Sequence, residues 1–206
     1  NGAGYNVLGF YQLTLLQILQ LLRSKTLNSK SFYGIGVTRM SGDGMQSTGS
    51  TDKKGMYAGS PSSTYDHVKV MGIEDFYGNC SYWIDGFYLD SGVMKTIKNP
   101  ISFNDTGTGY VSNGSIGLQQ YEQGYISKVQ GTSEAGFIPK ELKATSSTHF
   151  TDYNFIKTSG GTMFGGGTYG NHTSLNNGEL NGVFLFRFES TTLNTLHDNC
   201  ARIMYL

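Results

Sequence analysis

The residues of this chain best equipped for chemistry gather in one stretch, GIEDFYGNCSYWIDG at residues 72–86. Glu74, Asp75 and Asp85 stand there with Cys80 among the rings of Phe76, Tyr77, Tyr82 and Trp83. Such carboxylates can work as a paired acid and base, or hold calcium if further oxygens converge on them. The plainer reading is structural: YGN is a turn signal, the aromatics fill a corner, and the acids cap backbone amides. That reading is favoured here, because nothing else in the sequence completes a reactive site. His67, His149, His172 and His197 stand alone, without metal-ligand spacing. There is no H-E-x-x-H and no G-x-S-x-G. In GIGVTR, Arg39 stands where a dinucleotide-binding loop needs its third glycine. Cys80 and Cys200 are too few for a disulfide framework and too far apart for a zinc knuckle. A single long-range bridge is geometrically allowed, but two inert buried thiols are the favoured expectation. The chain is therefore expected to be no enzyme and to carry no cofactor or metal.

Composition narrows the class further. Of 206 residues, 15% are charged, against about 25% in an average soluble domain. The 29 glycines are about twice the usual share, and Asn, Ser and Thr supply much of the remaining polarity. Amides and hydroxyls offer hydrogen bonds at a lower desolvation cost than charges, as adhesive and virion surfaces require. Fifteen basic residues balance fifteen acidic ones without an obvious cluster, which argues against a nucleic-acid partner. The longest apolar run, LTLLQILQLL, is too short for the ~20 residues that cross a bilayer, so no membrane insertion is expected. A start at Asn1 rather than Met reads as the C-terminal part of a longer chain, with residues 1–206 as a single domain.

The elements that must position these residues follow from periodicity. GYNVLGFYQL reads as a short strand or entry segment. From Leu13 to Lys25 the spacing predicts a helix, with Leu15, Ile18, Leu19 and Leu22 on a buried face and Gln17, Gln20 and Ser24 on another. Residues 34–66 lack any period and read as a long surface loop. HVKVMGIEDFYGNCSYWIDGFYLD alternates, with Cys80, Tyr82 and Ile84 on one face and Ser81, Trp83 and Asp85 on the other. Short β-prone pieces separated by Gly and Asn turns continue to Gly136. NGVFLFRFES places Phe184, Phe186 and Phe188 on one strand face, and the apolar ending CARIMYL must be paired. One early helix, many short strands and long polar loops make an α+β domain dominated by sheet.

Four blocks carry a resemblance. Residues 72–86 resemble the G-I-E-N-x-W-G-N-x-W-x-W-x-D-G segment of phage C-type-lectin-fold proteins, which are related to formylglycine-generating-enzyme-like domains. Gly72, Ile73, Glu74, Gly78, Asn79, Trp83, Asp85 and Gly86 match, while Phe76 and Tyr77 depart conservatively. LTLLQILQLLRSKTLNSKSFYGIG resembles the helix and its S-x-x-x-G-x-G exit in that family, and THFTDYNF its S/T-D-Y-Y-Y segment. The tail is similar to that of major tropism determinant-like proteins, with Gly165, Gly166, Gly182, Ala201 and Arg202 at corresponding positions. Tyr169 stands near the aromatic of G-G-x-W, and Cys200 takes a glycine position.

The resemblance implies a C-type lectin fold: one or two helices, a small twisted antiparallel sheet, long polar loops and termini brought together. Gly72, Gly78, Asn79, Trp83, Gly166 and Arg202 would form its structural core. It further implies a receptor-binding or tail protein of a virion, located at a tail tip or fibre and extracellular, often a homo-oligomer such as a trimer. In some relatives a retroelement diversifies the region matching residues 168–199. Tyr169, Asn171, His172, Asn176, Asn177, Glu189, Asn194, His197 and Asp198 would then display a patch for a host cell-surface glycan or protein. The alternative is a structural virion protein, such as a head fibre, decoration or baseplate domain, whose loops contact other virion subunits. Calcium-dependent sugar binding is not implied, because the E-P-N and Q-P-D triplets are absent. Formylglycine-generating activity is not implied either, since Cys80 falls in an expected core strand.

Overall fold

The computed structural model describes residues 4–37, 45–62, 66–133, 136–156, 163–167, 181–188, 199–201 and 203–205. The chain opens with strand β1 (Tyr5–Val7), helix α1 (Phe10–Ser24) and a short helix α2 (Ser29–Tyr33). Strands β2 (Lys69–Val70), β3 (Ile73–Glu74), β4 (Ser81–Ile84), β5 (Phe87–Asp90) and β6 (Val93–Thr96) follow. After a 3-10 turn at Pro100–Ser102 come β7 (Val111–Ser115), β8 (Glu122–Tyr125), β9 (Lys128–Gln130), β10 (Ile138–Glu141) and β11 (Tyr153–Ile156). β12 (Met163–Gly167), β13 (Asn181–Phe188), β14 (Asn199–Ala201) and β15 (Ile203–Tyr205) complete the order. Few helices and many mostly antiparallel strands make this an α+β fold, as composition and periodicity predict.

The central sheet has the order β14-β4-β12-β13-β11-β8, antiparallel except for the parallel pairs β14 with β4 and β11 with β13. β13 lies at its heart, with Phe184, Phe186 and Phe188 all buried, as their alternation predicts. The facing residues Val183 and Leu185 are buried too, so this strand is covered on both sides. An aromatic spine runs outward from it: Phe188 meets Phe87 at 5.5 Å between ring centroids, and Phe87 meets Phe10 of α1 at 5.0 Å. The apolar C-terminal end pairs through β15 with β1, Tyr205 opposite Tyr5, which brings the two ends of the chain side by side.

β13 carries a wide irregularity. Gly166 of β12 pairs with Gly182, yet the next β12 residue, Gly165, pairs with Phe186. Val183, Phe184 and Leu185 therefore have no partner on β12, and β11 reaches only Arg187 and Phe188. Buried backbone groups left open in this way cost roughly 1–3 kcal/mol each unless something else bonds them. Side chains do so here. The Phe184 amide donates to Asp152 Oδ2 at 2.9 Å, and the Phe186 amide to Asn154 Oδ1 at 2.7 Å. Gln17 Nε2 donates to the Val183 carbonyl at 2.9 Å. Separately, Asn181 Nδ2 ties the start of β13 to the Ile35 carbonyl at 3.0 Å. Asp152 has no exposed surface, and Lys30 of α2 stands 3.3 Å from its Oδ1. Gly182 is obligatory at this crowded point: a Cβ there would lie 2.0 Å from Asp152 Oδ1.

This arrangement overturns the expected orientation of α1. Phe10, Leu13, Gln17 and Gln20 are the buried residues of the helix, whereas Leu15, Ile18, Leu19 and Leu22 are exposed. The aliphatic face was expected inside by hydrophobicity alone. The core instead needs an amide donor at position 17 to satisfy the open carbonyl of Val183, and no leucine supplies one. The cysteine expectation is overturned as well. Cys80 and Cys200 form a disulfide, with Cα atoms 6.3 Å apart and a sequence separation of 120. The parallel pairing of β14 with β4 sets Cys200 opposite Tyr82, beside Cys80, and so brings two distant thiols within bonding reach. Trp83 is half-buried rather than a core residue; the largest fully buried rings include Tyr77, Tyr82 and Phe76.

Two stability outcomes are expected. Asp152→Ala should lower the unfolding free energy by about 3–5 kcal/mol, because it strands the Lys30 charge and the Phe184 amide together. A loss below about 1 kcal/mol in urea denaturation would show that the clamp does not hold β13. Replacing both cysteines by serine should cost about 2–5 kcal/mol, and an unchanged melting temperature under reducing conditions would contradict the bridge.

Candidate functional site

The 72–86 stretch takes its shape from a tight hairpin. β2 and β3 pair with Val70 opposite Ile73, leaving Met71 and Gly72 as a two-residue turn with φ of 52° and 81°. Positive φ at both positions is the type I′ geometry that matches strand twist. The same register brings His67 back onto the acids after the turn. His67 Nδ1 lies 2.8 Å from Asp75 Oδ1 and 3.5 Å from Glu74 Oε1. One ligand atom from each of His67, Glu74 and Asp75 lies within 4.8 Å of the others. His67 thus does not stand alone. Its link to the acids was legible only to a reading that recognised the Met71–Gly72 turn and counted back along the hairpin.

The cluster is already saturated with protein hydrogen bonds. Glu74 accepts from the backbone amides of Gly49, Ser50 and Thr51 and from the Ser50 hydroxyl, at 2.9 to 3.4 Å. Burial alone would raise its pKa, but hydrogen bonds from Thr51, Ser50 and Gly49 outweigh that and hold it at about 2. Asp75 moves the other way: burial raises it, and the neighbouring His67 and Asn79 offset only part of that. Asn79, itself buried with φ of 64°, donates Nδ2 to Asp75 Oδ2 and to the Gln46 carbonyl, while its Oδ1 accepts the Gln46 amide. Lys69 Nζ donates to the Thr51 carbonyl at 2.9 Å. A cation would have to displace most of these bonds. The group works as a latch that fastens residues 46–51 onto the hairpin; Glu74 fills the amide-capping role expected of the acids, whereas Asp75 bonds the side chains of His67 and Asn79.

Asp85 does not join it. Its backbone carbonyl accepts the Phe10 amide at 2.7 Å and so aligns the start of α1, while its carboxyl is raised by burial and then by Asp105. Gly78 sits where two chain segments cross. With φ of 81°, its Cβ would stand 2.9 Å from the Val37 amide nitrogen, and Gly36 meets Tyr77 equally closely from the other side. Gly72, Gly78 and Asn79 thus have clear structural duties, and Gly166 pairs with Gly182 in the sheet. Arg202 lies outside the described residues.

The expected recognition residues, Tyr169, Asn171, His172, Asn176, Asn177, Glu189, Asn194, His197 and Asp198, also lie outside the described residues. The strand ends that flank them are defined. Gly167 and Asn181, on either side of residues 168–180, face each other in register. Asn199, which follows residues 189–198, pairs with Ser81 at that same end of the sheet, while Phe188, which precedes them, is opposite Met163 at the other end. The shared end is fastened by the disulfide, by the buried Asn181 and by the latch through Asn79. A separate open cleft of about 600 Å³ lies between Tyr121, Glu122, Lys128 and Lys140. Its acid Glu141 is engaged by Lys128 at 3.2 Å and Lys143 at 3.7 Å.

No protein-family model matches the sequence, and no curated protein matches it significantly.

The latch gives a pH signature. Glu74 is held below its ordinary 4.5, so its contribution to stability is present above that value and is lost as pH falls towards about 2. Glu74→Gln should lower the melting temperature at neutral pH and flatten its decline between pH 4.5 and 2. An acid limb as steep as that of the wild type would remove Glu74 from this role.

Proposed function

We propose that this chain is a non-enzymatic binding module, the receptor-recognition domain of a phage tail or virion fibre. It recognises a host cell-surface glycan or protein through residues 168–180 and 189–198. The observation that carries this reading is the sheet end just described: Gly167, Asn181 and Asn199 converge where a disulfide, a buried asparagine and the Glu74 latch fix the frame. Recognition is strongest when its platform is ordered beforehand, because less conformational entropy is then lost on binding. The two attached segments, TYGNHTSLNNGEL and ESTTLNTLHD, are rich in the amide, hydroxyl and aromatic groups that adaptable binding surfaces use. A structural disulfide fits oxidising surroundings such as a virion exterior. No described helix is long and apolar enough to cross a membrane. The C-type lectin fold itself is part of the proposal, supported by the joined termini, the two helices among the described residues and the glycine-and-aromatic blocks meeting in one sheet.

Replacing Tyr169, His172 and His197 together by alanine should abolish binding to host cells and leave the melting temperature nearly unchanged. Undiminished cell binding, or a collapse of stability, would each contradict the assignment of these residues.

A further inference from the structure

The first charged side chain of this sequence is Arg23, and the exposed face of α1 lies wholly before it. Leu15 is 55% exposed, Ile18 39%, Leu19 41% and Leu22 70%, on a helix whose opposite face is committed to the core. These positions, at i, i+3, i+4 and i+7, form one continuous stripe. The run LLQILQLL at residues 15–22 reads the same in both directions, save for the exchange of Ile18 and Leu19 at its centre.

We propose that this face pairs with the same face of a second copy of the chain, the two helices running antiparallel about a two-fold axis between Ile18 and Leu19. A two-fold interface needs one patch that complements itself, residue i touching j while j touches i. The palindromic run supplies that: Leu15 meets Leu22 of the second copy, and Ile18 meets its Leu19. An uncharged stripe also selects an uncharged partner, since any charge facing it would be buried without a counter-ion. The antiparallel sense opposes the helix dipoles and keeps the two Arg23 side chains apart. In each copy that guanidinium already lies 3.6 Å over the Tyr57 ring. A basic polar face, by which surface helices bind anionic lipid, is missing, because Gln17 and Gln20 are buried in the core.

The exposed parts of the four side chains amount to on the order of 400 Å², typical of the largest apolar patch on a monomer. Doubled across the axis, about 800 Å² falls short of the ~1,200 Å² at the lower end of stable interfaces. The pairing is therefore a reversible, concentration-dependent dimerisation. It does not depend on the receptor-binding reading.

Sedimentation equilibrium of the whole chain tests this. The wild type should show a monomer–dimer equilibrium. Leu19→Asp should weaken association by about tenfold or more, because it places unpaired carboxylates at the axis. Its circular dichroism and melting temperature should stay unchanged, since Leu19 lies outside the core. Orientation is read by cross-linking, as both native cysteines are engaged in the bridge. Leu15→Cys mixed with Leu22→Cys should form disulfide-linked pairs readily, and Leu15→Cys alone should not. A wild type that stays monomeric at its highest soluble concentration overturns the proposal. So does a trimer, a Leu19→Asp variant that still dimerises, or efficient cross-linking of Leu15→Cys to itself.

Discussion

The constraint on which this structure depends is the open backbone of Val183–Leu185. A central strand normally satisfies its amides and carbonyls through its neighbours. β13 leaves its neighbours for three buried residues. The deficit is met by Asp152 and Asn154 from one side and Gln17 from another. These groups lie far apart in sequence, so the demand of one strand fixes the position of α1, α2 and the segment before β11 together. Burying an ionised carboxylate is expensive, and burial does raise the pKa of Asp152, but Lys30 and the Phe184 amide partly offset the cost. In return the sheet gains a defined break where hydrophobic packing alone would leave the register free to slide.

That demand reverses the polarity of α1. A helix presents one face to the core, and here the core asks for an amide at Gln17. Once Gln17 and Gln20 turn inward at their fixed spacing, helical geometry forces the residues between them outward, whatever their hydrophobicity. The exposed leucine stripe is thus a consequence of the β13 break. What remains to be explained is why the outward positions stayed aliphatic instead of becoming polar, and a self-complementary contact answers that question.

The division between what was legible and what was not follows the same line. Local patterns read well: the α+β class, the strand at Phe184–Phe188 and the joined C-terminal end all follow from periodicity and composition. The amide-capping role of Glu74 was also legible, because it stands just before a turn signal. Features that depend on long-range pairing were not. Cys80 and Cys200 meet only through the parallel register of β14 on β4, which no spacing encodes. The inward Gln17 answers a bulge that NGVFLFRFES signals only through Gly182, and no local pattern links that glycine to α1. His67 joined the acids through a hairpin whose turn, Met71–Gly72, lacks the usual Asn-Gly or Asp-Gly pair.

The fixed contacts also explain how one end of the sheet is held by the described strands themselves. Asn181 is the first residue of β13, and its buried amide hooks the Ile35 carbonyl. Cys200, one residue into β14, is bonded to Cys80. Cys80 in turn follows Asn79, whose side chain grips both Asp75 and the Gln46 backbone. β13 at Asn181 and β14 at Cys200 are therefore each tied within a residue of the strand end that adjoins residues 168–180 and 189–198 respectively. The bridge and the hydrogen bonds that define this end of the sheet thus lie within the described strands, and a fixed frame of that kind is what the receptor-recognition reading proposed above requires.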